Sequence, residues 1–344
     1  MKSKKIKILL LSATAIFILY LIMKQIESRR FVSIESPNRL VMNTIAKIIA
    51  VAPDEKIAQS SIDAAFKEVY RLEKLMNRFD PNSQLSQINR FAAKEPVKID
   101  KDLFEILKLS IYYSKETAGA FDITVGPLVD MWRKCAQANS MPTEQQLADI
   151  KKIIGYDKLV LDSNNFSVRF TIDGIRLDLG GIAKGFAADK AQEIMKKFGA
   201  AGGLIDLGGQ IACFGNPKNS DKWIIGIRNP VKKDNKILMK LALSNMAVAT
   251  SGNYERFYKI GQQRFSHIFN PQTEISAEEI SSVTIICPIG SESDALATAI
   301  SVMGIEKGLE FIEQRKNIEA IIVPAENKNK LIKSNNADRY IFTK

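Results

Sequence analysis

Segments with helical spacing and short strand-like runs follow one another irregularly along residues 40–344, and this order constrains the fold most. Apolar residues at helical spacing predict helices over residues 60–77, 101–117, 143–154, 185–198 and 293–303. Short apolar and alternating runs predict strands over residues 40–51, 159–161, 167–170, 176–179, 203–206, 223–228, 238–243, 247–251, 265–269, 282–287, 318–323 and 340–343. Many neighbouring strands have no helix between them, which favours antiparallel pairing. The pattern predicts an α+β fold with mixed, largely antiparallel sheets and flanking helices, rather than an alternating α/β fold.

Residues 1–30 form a separate segment with the pattern of a membrane anchor. Four lysines within the first seven residues precede an apolar run from Ile8 to Met23. As a helix this run spans about 24 Å, and the flanking Lys7 and Lys24 can snorkel to cover a hydrocarbon core of about 30 Å. No A-x-A cleavage signal follows, so we expect an uncleaved signal anchor rather than a removed signal peptide. The positive-inside bias favours an N-terminus in the cytoplasm, so we expect the body of the protein to lie on the extracytoplasmic side. A linker over residues 31–40 and one domain over residues 41–344 complete the predicted organisation.

Charge and residue counts exclude several classes of function. The formal charge is +11, but residues 1–30 hold seven basic residues against one acid and so contribute +6. The remaining +5 is thinly spread, without the basic stripe that nucleic-acid binding requires. His267 is the only histidine, which excludes metal sites built on several histidines. The cysteine count of three is odd and the cysteines lie far apart, so no complete disulfide framework is expected.

Two glycine clusters are candidate ligand-binding turns. In the first, residues 177–189, a strand-like run enters a Gly-Gly turn and then a helix, with Lys184 at the entry. Backbone N–H groups, a helix N-terminus and a lysine together favour an anion such as phosphate, although a tight turn alone would also explain the glycines. In the second, residues 202–210, a strand end with close backbone packing and a ligand contact are equally good interpretations.

Two further segments could carry chemistry. Asp294 and Thr298 lie four residues apart on one predicted helix and therefore share a face. With the Ala297 carbonyl they would form an all-oxygen set that suits Mg²⁺, whereas Asp294 as a helix cap is the simpler alternative. His267 stands near a strand end, just before Asn270 and Pro271, where an exposed turn favours function over a structural role.

Six motifs, in this order, resemble the ApbE family of FAD:protein FMN transferases over roughly residues 40–325. The motifs are residues 76–83, 119–128, 178–189, 250–257, 267–271 and 294–298. The resemblance implies an ApbE/T-fold-like α+β domain. It also implies a membrane-anchored or periplasmic Mg²⁺-dependent enzyme that splits FAD and joins FMN through a phosphoester to a Thr or Ser of an acceptor protein, releasing AMP. The acceptor would be a subunit of a redox pump or an electron-transfer complex.

The resemblance also implies residue roles, motif by motif. The metal ligands would be oxygens of Gly181, Asp294, Ala297 and Thr298. The FAD site would be lined by Met42, Ala120, Phe121, Asp122, Asp178, Lys184 and Ile268. Lys184 would neutralise charge on the diphosphate, and His267 is our candidate for the base or orienting group of the incoming hydroxyl. Metal-assisted deprotonation without a base is the competing mechanism. A Mg²⁺-dependent FAD pyrophosphatase and a non-catalytic FAD-binding protein are the alternative functions.

The sequence departs from the family pattern at three loop positions. Asn43 stands where the family often has Gly, Asn253 replaces a frequent Asp, and Glu274 stands where a Gly commonly ends a turn. Phe79 occupies the position that resembles the family's switch between transfer and hydrolysis. A bulky aromatic residue there predicts exclusion of water and therefore transfer.

Overall fold

The structure, a computed structural model, describes residues 31–230, 236–253 and 257–343. The strands in these ranges are β1 (Val32–Glu35), β2 (Arg39–Val41), β3 (Thr44–Ala52), β4 (Val97–Lys98), β5 (Leu159–Asp162), β6 (Ser167–Phe170), β7 (Gly202–Leu207), β8 (Gln210–Phe214), β9 (Trp223–Arg228), β10 (Ile237–Leu243), β11 (Met246–Gly252), β12 (Phe257–Ile260), β13 (Gln263–Ser266), β14 (Ile280–Cys287), β15 (Glu319–Pro324) and β16 (Ile332–Lys333). The helices are α1 (Glu55–Met76), α2 (Gln84–Phe91), α3 (Lys101–Glu116), α4 (Gly126–Gln137), α5 (Glu144–Ile153), α6 (Ala183–Lys197), α7 (Gly290–Met303) and α8 (Ile305–Glu313).

A nine-stranded sheet organises the fold. Its order is β1-β3-β7-β8-β11-β14-β15-β16, with β2 also paired to β3, and every pairing along it is antiparallel. Smaller antiparallel sheets are formed by β9 with β10, by β12 with β13, and by β4, β6 and β5. The prediction of an α+β fold with largely antiparallel sheets is therefore confirmed.

The two faces of the large sheet bury different partners, because successive side chains of a strand point to opposite sides. On β11, Ala247 belongs to the core that contains α1 and α6, whereas Val248 belongs to the core that contains the β9–β10 hairpin. Helix α1 buries an apolar stripe that includes Ile62, Phe66 and Val69. Helix α6 packs between α1 and α7. This arrangement places the N-termini of α6 and α7 beside each other.

A third cluster attaches the β12–β13 hairpin to α4. Trp132 of α4 is fully buried, and its ring lies 5.0 Å from that of Phe265 and 5.3 Å from that of Phe269. Its indole Nε1 donates to the Glu274 carbonyl at 3.0 Å. The backbone that carries His267 is therefore fixed by aromatic packing on both sides.

Several predictions made from the sequence need correction. Residues 31–40 are no linker, because β1 lies within them and pairs with β3 along four residue positions. Residues 176–179 form no strand: Arg176 makes only an isolated bridge to Val125. Residues 340–343 form no strand either, since a 3-10 turn covers Ala337–Tyr340. Helices α2, α4 and α8 were not predicted.

The anchor predicted for residues 8–23 lies outside the described residues. Within the described ranges, no helix is both long and apolar enough to cross a membrane.

Candidate active site

A cleft of about 450 Å³ gathers the predicted site residues. Eleven of the twelve line it: Met42, Ala120, Phe121, Asp122, Asp178, Gly181, Lys184, His267, Ile268, Asp294 and Thr298. They come from loops, strand ends and helix N-termini that are distant in sequence. Ala297 is the exception, because it is fully buried and does not line the cleft.

One wall of the cleft is built where α6 and α7 meet, and each helix caps the other. Asp294 of α7 accepts the backbone N–H of Gly185 at 2.9 Å. Asp189 of α6 accepts the backbone N–H groups of Gly290 and Ser291 at 2.7 and 2.8 Å. The first N–H groups of a helix have no partner within it, so each carboxylate satisfies donors that would otherwise be unpaired. Burial raises the pKa of Asp189, while these two backbone hydrogen bonds oppose the shift.

Glycine is required at this crossing. A Cβ on Gly185 would lie 2.1 Å from the Gly290 carbonyl oxygen and 2.8 Å from Asp294 Cβ. A Cβ on Gly181 would lie 2.9 Å from Thr298 Oγ1, so the backbone of the Gly-Gly turn rests on the Thr298 side chain. Gly185 thus permits the close approach of the two helices, whereas Gly180 and Gly181 line the cleft.

The oxygen atoms on this wall suit a hard cation, although they form a small set. Asp294, Thr298 and the Gly181 backbone lie together, and Lys184 Nζ is 3.8 Å from Asp294 Oδ1. In the described part of the chain, no three His, Cys, Asp or Glu side chains form a metal-binding group. The Ala297 carbonyl accepts the Ser301 hydroxyl at 2.8 Å, so this geometry does not favour Ala297 as a ligand.

An ion-pair network forms another part of the cleft. Arg78 is almost fully buried and donates to Asp178 and, at 2.7 Å, to Asp130. The other oxygen of Asp178 accepts the N–H of Gly180 at 2.9 Å, which fixes the Gly-Gly turn. Arg133 and Arg176 also pair with Asp130, at 2.7 and 3.3 Å. The predicted ligand contact Asp178 is therefore held in place by Arg78, whose role sequence reasoning missed.

Asp122 shapes the cleft through its internal hydrogen bonds. One carboxylate oxygen accepts the N–H and the hydroxyl of Thr124 at 2.8 and 2.7 Å, and the other accepts the N–H of Tyr156 at 3.0 Å. Burial raises the pKa of Asp122 despite these donors. The carboxylate fixes the turn after Phe121, whose ring packs against Gly181.

Asn43 and Glu274, two of the three loop positions that depart from the family pattern, adopt the left-handed conformation. Met42 and Asn43 have φ of 52° and 56°, and the Met42 N–H donates to Glu73 Oε1 at 2.6 Å. Asn tolerates this conformation better than most residues, so it can stand where Gly is common. Glu274 has φ of 61°, is buried, and lies 3.2 Å from Lys151 Nζ.

The remaining lining residues come from strand ends and from the second glycine cluster. His267 and Ile268 follow directly after β13, and the Ile268 N–H donates to Ser266 Oγ at 3.1 Å. Gly208 and Gln210 line the cleft too, which supports a ligand contact for residues 202–210. Gln210 Nε2 donates to the Gly290 carbonyl at 3.1 Å, so it also links β8 to the start of α7.

The fold and the site together define an α+β domain with a cleft of mixed polar and apolar lining. The cleft lies between two helices that cap each other and a loop that Arg78 holds in place. The chain belongs to the ApbE family, whose model matches residues 42–322. It is 30% identical to an FAD:protein FMN transferase of Klebsiella pneumoniae over 259 residues, which is 75% of this chain and 80% of that protein. An FAD:protein FMN transferase of Haemophilus influenzae is 29% identical over 288 residues, covering 80% of this chain and 81% of the relative.

Solved structures show the same architecture. The crystal structure of the ApbE protein of Thermotoga maritima superposes with a TM-score of 0.81 at 27% identity, covering 91% of this chain and all of that one. The flavin transferase ApbE of Vibrio cholerae gives a TM-score of 0.74 at 25% identity, covering 90% of this chain and 99% of that one. The family resemblance stated from the motifs is thereby confirmed.

Proposed function

We propose that the protein is an FAD:protein FMN transferase, which moves FMN from FAD to a Thr or Ser hydroxyl of an acceptor protein and releases AMP. The observation that carries the proposal is the cleft itself, since it brings together eleven residues that the family motifs place in the site. The names of relatives that align with three quarters or more of the chain support the same activity.

The reaction replaces one bond to phosphorus with another. The acceptor hydroxyl oxygen attacks the phosphorus on the FMN side of the diphosphate, the anhydride bond breaks, and AMP leaves with the electron pair. Lys184 at the N-terminus of α6 supplies positive charge to the diphosphate, where charge builds up in the transition state. Arg78 keeps Asp178 and the Gly-Gly turn in one position, so the substrate meets a preformed loop.

Asp294, Thr298 and the Gly181 carbonyl are the residues proposed to hold Mg²⁺. These residues fit Mg²⁺ because all the donor atoms are oxygens and they lie together at the wall between α6 and α7. Asp294 is 5% exposed there, and Lys184 is its charged neighbour. When bound, Mg²⁺ supplies Lewis-acid stabilisation of the phosphoryl oxygens. Ala297 is left out of the proposal because its carbonyl accepts the Ser301 hydroxyl.

His267 and Phe79 are proposed to act on the incoming hydroxyl. His267 lines the cleft directly after β13, and an imidazole has a suitable pKa to accept or orient a proton near neutral pH. Phe79 lines the same cleft with 61% of its surface exposed, where it can cover the bound substrate and exclude water. This favours transfer over hydrolysis.

Incubation of residues 31–344 with FAD, Mg²⁺ and a hydroxyl-bearing acceptor domain tests the proposal. Covalent FMN on the acceptor, detected by mass spectrometry, with one AMP released per FMN attached, is the expected result. AMP and free FMN without acceptor modification would instead identify a pyrophosphatase, and intact FAD would identify a binding protein. Asp294→Ala should abolish Mg²⁺-dependent turnover, while Glu306→Ala, on the exposed surface of α8, should leave it unchanged.

The location and the partner complete the proposal. We place the domain on the periplasmic side of the inner membrane, anchored by residues 8–23, on the basis of the lysine distribution and the apolar run. The acceptor is then a membrane-associated subunit of a redox pump or electron-transfer complex. Alkaline phosphatase fusion after residue 40 would report the side of the membrane.

A further inference from the structure

The β12–β13 hairpin presents a cationic face beside the mouth of the cleft. Its inner residues Tyr258, Ile260 and Phe265 pack into the cluster around Trp132. On its outer face, Lys259 and Arg264 are exposed and occupy directly opposite positions of the two strands. Like charges opposite each other are destabilising, and neither side chain has a carboxylate partner among the described residues. The hairpin therefore maintains a positive charge pair at a cost to its own stability.

Exposed aromatic rings accompany these charges. Phe257 of β12 lines the cleft and is 43% exposed, and the Arg264 guanidinium lies 4.5 Å from its ring centroid. Phe79 lines the same cleft, with the Arg133 guanidinium 5.6 Å from its ring centroid. The surface formed by Phe79, Arg133, Phe257, Lys259 and Arg264 is called the cationic rim below.

The charge of the rim is not neutralised by the ion-pair network beneath it. Among the residues that the structure describes, Arg78, Arg133 and Arg176 pair with two carboxylates, those of Asp130 and Asp178. The two parts of the rim are close together, because α4, which carries Arg133, packs against β12, and both Arg133 and Phe257 line the cleft. Positive charge therefore exceeds negative charge within this network and on the hairpin, while the cleft between them is also lined by Glu73, Asp122 and Asp294.

We propose that the cationic rim docks the acceptor polypeptide, binding carboxylates that neighbour the modified hydroxyl and packing apolar groups of that segment on the two rings. The inference rests on the proposed function. Lys259 and Arg264 do not line the cleft, whereas Lys184 does, so their charge lies outside the space that holds the nucleotide. A polypeptide that brings its hydroxyl to the cleft beside Phe79 and Phe257 contacts the rim, and acidic residues on it complement the positive charge there.

Fluorescence anisotropy with synthetic peptides tests the rim without relying on turnover. The probes are a threonine peptide flanked by aspartates and its twin flanked by asparagines. The wild-type domain should bind the aspartate peptide about fivefold more tightly than its twin at low salt, as expected for two exposed charge pairs. The double variant Lys259→Gln/Arg264→Gln should lose this preference and keep the affinity for FAD. The matched control Lys328→Gln/Lys330→Gln, which removes the same charge from the exposed loop before β16, should behave like wild type.

Three results would overturn the docking inference: equal binding of both peptides to wild type, loss of the preference in the control variant, or weaker FAD binding in the rim variant. The last result would assign the rim to the nucleotide. Flavin transfer by the wild-type protein is measured separately, so a domain without transfer contradicts the proposed function. A domain that transfers flavin but ignores peptide charge contradicts only the docking inference.

Discussion

Replacing Gly185 with alanine should separate α6 from α7 and thereby disrupt the candidate active site. The new Cβ would lie 2.1 Å from the Gly290 carbonyl oxygen, so the helices must move apart by about 1 Å to restore van der Waals contact. That movement would stretch the 2.9 Å bond from the Gly185 N–H to Asp294 beyond hydrogen-bonding distance. Overpacking costs about 1–3 kcal/mol and loss of the charge-assisted bond about 1.5–3 kcal/mol, while alanine returns about 1 kcal/mol of helix propensity. We expect a net loss of about 2–4 kcal/mol in the free energy of unfolding.

Urea unfolding followed by tryptophan fluorescence measures this loss, and quenching of flavin fluorescence measures FAD affinity, which should fall as well. Gly226→Ala in β9 is the matched control, because its Cβ would meet only the flexible side chain of Ile237, at 3.1 Å. The control should stay within about 0.5 kcal/mol of wild type. If Gly185→Ala also stayed that close and bound FAD normally, the inferred role of the crossing would be refuted.

Three further predictions concern single side chains of the site. Asp189→Ala should lower the free energy of unfolding by at least about 2 kcal/mol in urea titrations, because it leaves two backbone N–H groups of α7 without an acceptor. His267→Ala should slow flavin transfer in single-turnover assays more than it weakens FAD binding, and an equal loss of both would assign the ring a structural role. Burial raises the pKa of Asp122 above its ordinary 3.8. The protonated carboxyl therefore stabilises the folded state below that pH, and this stabilisation is lost as the pH rises through the pKa of Asp122 in the folded state. Asp122→Asn should remove this pH dependence. In urea titrations between about pH 3.5 and 6, the free energy of unfolding of the variant should therefore rise relative to that of wild type as the pH rises. A constant difference between the two proteins would contradict the assignment.

Local patterns were sufficient to predict many of the elements. Helix α5 lies within the predicted range 143–154, and its first turn has a local signal, since the hydroxyl of the N-cap Thr143 accepts the N–H of Gln146. The Gly-Gly turn and α7 each stand out as compact motifs, but only the family resemblance implied that they share a site; both line the same cleft. The start of α4 was missed although Pro127 in its first turn is a known helix-start signal.

Long-range relations could not be read in the same way. The pairing of Arg78 with Asp130 spans 52 residues, and nothing in the local sequence marks two distant charges as partners. Strand β1 is short and precedes Pro37, so its alternation is weaker than the linker signal. Pairing with β3 and packing of Val32 and Ile34 against the core stabilise it. The mutual capping of α6 and α7 likewise depends on tertiary packing, which overrides local preference.

The reach of the Asp294 bond has a consequence for biosynthesis. It joins residues that are 109 positions apart, and its counterpart from Asp189 spans a similar interval. A growing chain therefore cannot complete the wall between α6 and α7 until α7, which lies in the last quarter of the sequence, has been made.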